Sequence, residues 1–298
     1  MVAAPVFAIE SIANIGMIFA PPLDAMYMLS PFVWRDGELY RMLLRVVNHA
    51  DDPHDKIARI HYASSADSVT FVLDSEPAIA PGPQSDDRGG CEDPTFFAGD
   101  DAWHVFYSGW NAQAERGSLL LARGHSERLL EKLGPVLPET GPYRNAKEAS
   151  VVRCADGSYC LFFEYVREGG SQIGVARSPA IDGPWVIEAA APLEPRPDSW
   201  DSYHLSPGPV VELPGSPPVM FYNGAQRSAN WRIGCAVFDQ NFRSVLARSE
   251  VPLIGPPPVL PDEGDMAFVA SAFADGDAIA VYYSVADKIM KRALLRRT

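Results

Sequence analysis

The sequence predicts an all-β protein with the fold of a five-bladed β-propeller. One observation is a recurring hairpin unit, in which an apolar strand, a tight turn with glycine and a second apolar strand follow one another. Another is the constant spacing of this unit, since its turn glycines lie 58 to 62 residues apart. A strand-like segment also follows each hairpin, and helical periodicity is scarce. Three or four antiparallel strands repeated five times are typical of a propeller with five blades.

The five hairpins can be followed along the chain by their turn glycines. These are Gly37, Gly99, Gly157, Gly215 and Gly276. The third strands are predicted at 61–64, 119–122, 173–176, 233–236 and 291–294, with fourth-strand candidates at 69–72, 185–187 and 245–247. A β-sandwich is the alternative architecture, but it gives no reason for a period near sixty residues.

The remaining segments are predicted to lie outside the blades. Residues 126–133 and a segment around Glu10 have the pattern of short helices. The segments 51–55 and 256–265 are rich in proline and acidic residues and are predicted to be loops. Because no linker composition interrupts the repeats, we expect residues 1–298 to form a single domain.

The composition restricts the classes of partner. The 298 residues include 25 basic and 38 acidic side chains, and the net charge of −13 argues against nucleic acid or an anionic membrane as partner. A small neutral substrate fits this charge better. The four cysteines have no metal-site spacing, so we expect free thiols, no metal and no cofactor. The N-terminal residues resemble neither a signal peptide nor a membrane span, so a cytoplasmic location is expected.

The propeller geometry predicts where a site should form. The innermost strands line a central channel, so residues at equivalent places in the five copies should converge there. The starts of the first strands contribute Ser30, Asp93, Lys147, Glu148, His204, Ser206 and Asp265, and the ends of the returning strands contribute Arg45, Glu164, Tyr222, Asn223, Tyr283 and Asp287. Carboxylates, cations and aromatic rings together suit a cavity that binds a polyol and cleaves a glycosidic bond. Individually, each of these side chains could instead serve only the local structure.

The segment Gly89-Gly90-Cys91-Glu92-Asp93-Pro94 contains the candidate acid. Neighbouring residues of a regular strand point to opposite sides, so Glu92 and Asp93 should not both face the same bond. We predict that Asp93 is the general acid and that Glu92 binds a sugar hydroxyl or braces the loop. Glu148 and Glu164 are the candidate bases for activating a water molecule.

The motifs at these positions resemble glycoside hydrolase family 130, the five-bladed propellers that include β-mannoside phosphorylases and β-mannosidases. Residues 90–94 resemble the family's G-x-E-D-P-R segment, and Leu44-Arg45 resembles its Y-R. Ser30-Pro31 resembles the family's N-P, and residues 206–209 resemble its G-x-G-P-P. In the second half of the chain, residues 222–225 resemble Y-H-G, residues 248–256 resemble R-x-x-x-P-L-L-x-P and residues 282–287 resemble Y-Y-G-A-A-D. The likeness extends from about residue 28 to about residue 294.

The resemblance implies an inverting enzyme in which Asp93 protonates the leaving group, as in family members through a hydroxyl of the bound sugar. It also implies that Ser30, Arg45, His204 and Asp287 hold the sugar. Two departures from the family pattern concern its phosphorylases: Thr95 replaces the arginine of E-D-P-R, and Asn223 replaces a histidine that helps to hold phosphate.

These departures favour hydrolysis of a short β-mannoside or related glycoside over phosphorolysis. Lys147 and Arg144 could still supply positive charge, so inorganic phosphate stays open as a co-substrate and a sugar 1-phosphate as a product. A propeller that binds carbohydrate without cleaving it is the alternative from another functional class, and a scaffold for other proteins is a third.

Overall fold

The computed structural model describes residues 6–23, 26–52, 55–138, 142–255 and 266–298. Within these residues the chain forms five sheets that are arranged as the blades of a β-propeller, which confirms the predicted fold. The strands, in chain order, are β1 (Phe7–Asn14), β2 (Gly16–Ile18), β3 (Met26–Asp36), β4 (Leu39–Asn48), β5 (Ala58–Ser65), β6 (Thr70–Ile79), β7 (Gly90–Ala98), β8 (Trp103–Asn111), β9 (Arg116–Gly124), β10 (Leu130–Pro135), β11 (Arg144–Arg153), β12 (Tyr159–Arg167), β13 (Gly170–Ser178), β14 (Val186–Ile187), β15 (His204–Ser206), β16 (Val210–Val211), β17 (Val219–Ala225), β18 (Arg232–Phe238), β19 (Val245–Arg248), β20 (Ala267–Asp275), β21 (Ala278–Val285) and β22 (Ile289–Arg297).

Each blade begins with its inner strand and proceeds outwards, as the hairpin repeat predicts. Blade 1 has the order β3-β4-β5-β6-β2, blade 2 β7-β8-β9-β10 and blade 3 β11-β12-β13-β14. Blade 4 has the order β15-β17-β18-β19, with β16 also paired to β17, and blade 5 has the order β20-β21-β22-β1. The N-terminal strand β1 therefore completes the last blade, and this pairing closes the ring.

The predictions of two short helices are both wrong. The segment around Glu10 is β1, which pairs antiparallel with β22, and Glu10 forms an ion pair with Arg296. Residues 126–129 form a turn, after which β10 pairs with β9. The physical reason is the same in both places. A strand added to the open edge of a sheet forms hydrogen bonds with its neighbour along its length, whereas an isolated helix of two turns leaves most of its backbone groups unpaired.

Buried apolar side chains fill every interface between neighbouring blades. Pairs from the five clusters are Leu43 with Val105, Phe106 with Phe163, Phe162 with Phe238, Phe221 with Val281, and Tyr282 with Leu44. Adjacent residues of one central strand, such as Phe162 and Phe163, thus pack against opposite neighbouring blades. Because both faces are covered, these strands are continuous apolar runs rather than alternating ones.

The inner strands share an irregularity that positions the site. The register between inner and second strand shifts at Leu29/Phe32, Glu92/Thr95, Lys147/Ser150 and Val269/Ser271. In the first three blades the backbone has a positive φ at this point, with 52° at Ser30, 47° at Asp93 and 49° at Glu148. A bulge of this kind bends the strand and redirects one side chain.

The four cysteines are buried free thiols, as expected, and those of Cys154 and Cys160 are hydrogen-bonded to each other. Among the described residues, no helix has the length and apolar character needed to cross a membrane.

Candidate active site

Ser30, Asp93 and Glu148 occupy equivalent bulges in three consecutive blades. None of them is glycine, although the left-handed backbone region costs other residues of the order of 1 kcal/mol each. The freed backbone N–H groups of two bulges are held by hydroxyls from the preceding blade. The N–H of Ser30 donates to Ser284 Oγ at 3.1 Å, and that of Glu148 donates to Ser108 Oγ at 3.2 Å. The fold thereby fixes three polar side chains at one end of the channel.

These bulges open into a cavity of about 180 Å³. Residues from all five blades line it, namely Leu29, Ser30, Arg45, Asp93, Lys147, Glu148, Glu164, Ser171, Trp231, Met266, Phe268, Ser284 and Asp287. Larger hollows exist on the outer surface, such as the one beside Trp200, but none of those described collects residues from more than two blades. The central cavity is therefore the candidate site, because among these cavities of the described residues it combines several blades with convergent ionisable groups.

One carboxylate oxygen of Asp93 accepts two hydrogen bonds. Its Oδ1 accepts hydrogen bonds from Ser30 Oγ at 2.8 Å and from Arg45 Nη1 at 3.1 Å. Burial alone would raise the pKa of Asp93, but the charges of Arg45 and Lys147 and the bond from Ser30 lower it overall. Asp93 is only 5% exposed, so these contacts act with little screening by water.

Arg45 also binds Glu92, through a contact of 2.7 Å between Nη2 and Oε1. Both adjacent carboxylates therefore contact one guanidinium, because the bulge at Asp93 interrupts the regular alternation of the strand. Of the two, Asp93 lines the cavity. Burial raises the pKa of Glu92, and Arg45 opposes this rise. Glu92 does not line the cavity, so it braces Arg45.

Glu148 is hydrogen-bonded to Asp93. Burial and the neighbouring charge of Asp93 raise the pKa of Glu148 well above the ordinary carboxyl value. A proton bound by this pair therefore resides on Glu148 in preference to Asp93. This contact places Glu148 beside the candidate acid. A base for an inverting reaction must lie across the sugar from the acid, so the expected role of Glu148 as that base conflicts with the geometry.

Glu164 is the other buried carboxylate of the cavity, and it is 2% exposed. Its Oε1 accepts a hydrogen bond from Ser171 Oγ at 2.8 Å and lies 3.5 Å from Lys147 Nζ. The charge of Glu164 is the main cause of the raised pKa of Lys147. Lys147 therefore stays protonated between the Asp93–Glu148 pair and Glu164.

His204 lies behind this group and does not line the cavity. Its Nδ1 accepts a hydrogen bond from the backbone N–H of Ser171 at 3.1 Å, which leaves the ring proton on Nε2. Burial lowers the pKa of His204, so the ring is neutral near pH 7. Through this hydrogen bond His204 supports the strand that carries Ser171.

Asp287 enters the cavity from the turn between β21 and β22, next to Ser284. Burial raises the pKa of Asp287, and the charge of Arg45 opposes this rise. The side chain is thus available to accept hydrogen bonds from substrate hydroxyls.

Three residues expected to bind substrate lie in the packed interior instead. Tyr222 is 0% exposed, and its hydroxyl donates to Asp201 Oδ2 at 2.6 Å. Asn223 joins blades 4 and 5, since its Oδ1 accepts a hydrogen bond from the N–H of Val269 at 2.7 Å. Tyr283 belongs to the apolar cluster between the same blades. The prediction that they line the site is wrong, because the central strands direct these side chains into the blade interfaces.

Thr95, which stands in place of the family's arginine, also serves the fold. Its hydroxyl donates to the carbonyl of Ala149 at 2.7 Å and so ties blade 2 to the bulge of blade 3.

The predicted site residue Asp265 lies outside the described residues. Six lining residues were not predicted from the sequence, namely Leu29, Ser171, Trp231, Met266, Phe268 and Ser284. Only Trp231 carried a signal, as a single large aromatic residue in the polar segment 226–232.

The charges of the cavity suit a neutral ligand. Four lining residues are acidic, Asp93, Glu148, Glu164 and Asp287, and two are basic, Arg45 and Lys147. Even with a proton on Glu148 the lining is net negative, and both cations already face carboxylates. In the part of the chain that the structure describes, no group of three His, Cys, Asp or Glu side chains is arranged to hold a metal ion.

Comparison with known proteins agrees with this architecture. The sequence model of a family described as beta-1,4-mannooligosaccharide phosphorylase matches residues 30–295. None of the curated proteins compared with the chain matches it in sequence. A beta-1,2-mannobiose phosphorylase from Listeria innocua, solved with beta-1,2-mannobiose, is 20% identical with a TM-score of 0.76, and the match covers 97% of this chain and 91% of that one.

Two further structures are similar in fold. One, from work describing glycoside hydrolases of the family that target beta-1,2 mannosidic linkages in Candida mannan, is 20% identical with a TM-score of 0.76 and 90% and 84% of the two chains covered. The mannose phosphorylase MPT-4 from Leishmania mexicana, solved with a phosphate ion, is 12% identical with a TM-score of 0.70 and 97% and 89% covered. The family match spans most of the sequence, and the fold agrees with it. The chain therefore belongs to glycoside hydrolase family 130, the enzymes of which are phosphorylases and hydrolases acting on β-mannosidic linkages.

Proposed function

We propose that the protein hydrolyses the β-mannosidic bond of a short mannoside with inversion at the anomeric carbon. The observation that carries this proposal is one cavity that contains an acid pair, Asp93 with Glu148, and a separate buried carboxylate, Glu164. Inverting hydrolysis requires these two functions, a proton donor for the leaving oxygen and a base for the attacking water. The substrate class is inferred from the family and from the mannosides named for its relatives.

The acid pair supplies the proton for the departing sugar. Ser30 and Arg45 fix the position of Asp93, and Glu148 holds the proton that the pair shares. The proton held by Glu148 passes to the ionised Asp93, and as the glycosidic bond breaks Asp93 gives it to the leaving oxygen, directly or through a hydroxyl of the bound sugar. The pair thus delivers one proton in total and ends with both carboxylates ionised.

Glu164 is the proposed base. It takes a proton from a water molecule whose oxygen forms the new bond to the anomeric carbon as the bond to the leaving oxygen breaks. Ser171 orients the Glu164 carboxylate through its hydrogen bond, and Lys147 Nζ lies 3.5 Å from the same oxygen. One water is consumed, and the proton gained by Glu164 balances the one given up by the acid pair.

Phosphorolysis is the second candidate. Lys147 favours it, since its side chain is 37% exposed beside the cavity and could approach an anion. Relatives named as phosphorylases also support it, one of them solved with phosphate. Against it stand Thr95 and Asn223, whose polar groups are used within the fold, and the net negative lining. We therefore place hydrolysis first.

The roles of the two carboxylates can be separated by substitution. Asp93→Asn should reduce turnover of β-1,2-mannobiose by roughly 10² to 10⁴. Glu164→Gln should cause a similar loss, but added azide should restore turnover with a mannosyl azide as product, because azide attacks without needing a base. Azide should not rescue Asp93→Asn. Asp101→Asn, in the exposed turn of the same hairpin, is the matched control. Native-like turnover in Asp93→Asn would remove Asp93 from the mechanism.

A further inference from the structure

The cavity is divided into a polar and an apolar side. Blades 1 to 3 contribute its charged residues other than Asp287, whereas blade 4 contributes a single lining residue, Trp231. Blade 5 adds the apolar Met266 and Phe268 as well as Ser284 and Asp287, and the Phe268 ring packs against Trp231. A pyranose ring has the same division, because its hydroxyls point outwards while one face presents C–H groups. In a β-mannopyranose, the hydrogens on C1, C3 and C5 share one face and the axial hydroxyl on C2 lies on the other.

The Trp231 ring is held in place by its surroundings. Its centroid lies 5.2 Å from that of Phe268 in an edge contact and 5.4 Å from that of His204. Its carbonyl accepts a hydrogen bond from the N–H of Ala267 at 3.0 Å, so the backbone is tied to the inner strand of blade 5. Trp231 is nevertheless only partly buried. A fixed and partly open indole on the wall of a polar cavity is a ready surface for stacking.

We propose that Trp231 is the platform on which the apolar face of the substrate's sugar ring stacks, and that it makes the site selective for pyranose rings over other polyols. The inference rests on the proposed function in taking a mannoside as substrate. The carboxylates and Arg45 then bind hydroxyls along the ring edge, which an acyclic polyol could also offer. Only the stacked face distinguishes a closed ring from an open chain.

Binding of D-mannose and of D-mannitol, measured by calorimetry, tests this platform. The two ligands carry similar hydroxyls, but only mannose has a ring face. The native protein should prefer mannose, and Trp231→Ala should weaken mannose binding about ten- to thirty-fold with little effect on mannitol. Trp231→Phe should keep mannose affinity within about fivefold, because a smaller ring remains. Phe97→Ala is the aromatic control, because Phe97 lies near the end of β7 that is remote from Asp93. Near-UV circular dichroism checks that each variant is folded.

The outcomes separate this inference from the proposed function. Unchanged mannose affinity in Trp231→Ala, or no preference of the native protein for mannose over mannitol, would overturn the platform and leave hydrolysis standing. A sugar 1-phosphate product together with the expected loss in Trp231→Ala would overturn hydrolysis and leave the platform standing. A native protein that binds no sugar would overturn both.

Discussion

Asp93 and Glu148 are in contact, yet their pKa values move in opposite directions. Asp93 is buried and Glu148 is partly buried, and burial raises the pKa of any carboxyl group. Asp93 has Arg45 and Ser30 as direct partners, which outweigh burial, whereas Glu148 faces the negative charge of Asp93. Because Glu148 binds a proton beside Asp93, the pair can still donate that proton at a pH where an isolated aspartate would be ionised.

Activity should therefore fall as pH rises through the upper pKa of this pair, because the pair then loses its proton. Glu148→Gln keeps a hydrogen-bond donor beside Asp93 but no transferable proton. We expect kcat to fall by roughly 10² or more. The measurement is the pH profile of kcat/KM for both proteins. A variant with a native alkaline limb would show that the proton does not reside on the pair.

The same substitution should affect stability with a defined sign. The folded-state pKa of Glu148 lies above its unfolded value, so the stability present below the ordinary carboxyl range is lost as pH rises towards the folded pKa. Glu148→Gln removes this loss and should be more stable than the native protein at higher pH, as urea denaturation at a series of pH values would measure.

The sequence repeat predicted those site residues whose position in the hairpin places them in the channel. It did not predict those for which the direction of the side chain decides whether the residue faces the channel. The comparison of hairpins found Ser30, Asp93 and Glu148, which occupy the same bulge. It placed Tyr222 and Tyr283 wrongly, because a shift of one residue on a strand turns a side chain from the channel end into the blade interface. Trp231 was missed because it lies outside the hairpin pattern.

The inner strands are tied to their neighbours by buried hydroxyls and amides beside the bulges. Ser271 of β20 accepts a hydrogen bond from the N–H of Val33 at 2.8 Å and donates to the carbonyl of Pro31 at 2.9 Å. Thr95 and Asn223 form similar links between other blades. These contacts pair backbone groups that the bulges remove from the regular ladder.

Ser271→Ala should therefore lower the free energy of unfolding by about 1 to 3 kcal/mol, since it leaves a buried N–H and a buried carbonyl unpaired. Urea denaturation gives the value. Ser75→Ala, an exposed position on β6, is the matched control and should change stability by no more than about 0.5 kcal/mol. Equal effects of the two substitutions would contradict a structural role for the Ser271 contacts.

The ring as a whole is closed by the pairing of β1 with β22, which joins opposite ends of the chain. The period of the hairpins was enough to predict five blades. It could not predict the closing strand, because a single strand near Glu10 has no sequence mark that identifies a partner about 280 residues away. In the same way, the order of the blades implied a channel with converging residues, but not which bulge would bring Glu148 against Asp93.

The global charge and the local charge of the cavity agree in sign, and both oppose binding of an anion. These charges favour hydrolysis over attack by phosphate. Proton NMR of β-1,2-mannobiose cleavage, recorded at short times in phosphate-free buffer and in phosphate buffer, tests the proposed hydrolysis with inversion most directly. We expect newly released α-mannopyranose at the same rate in both buffers. Formation of mannose 1-phosphate, or cleavage only after phosphate is added, would contradict hydrolysis, and initial β-mannopyranose would contradict inversion.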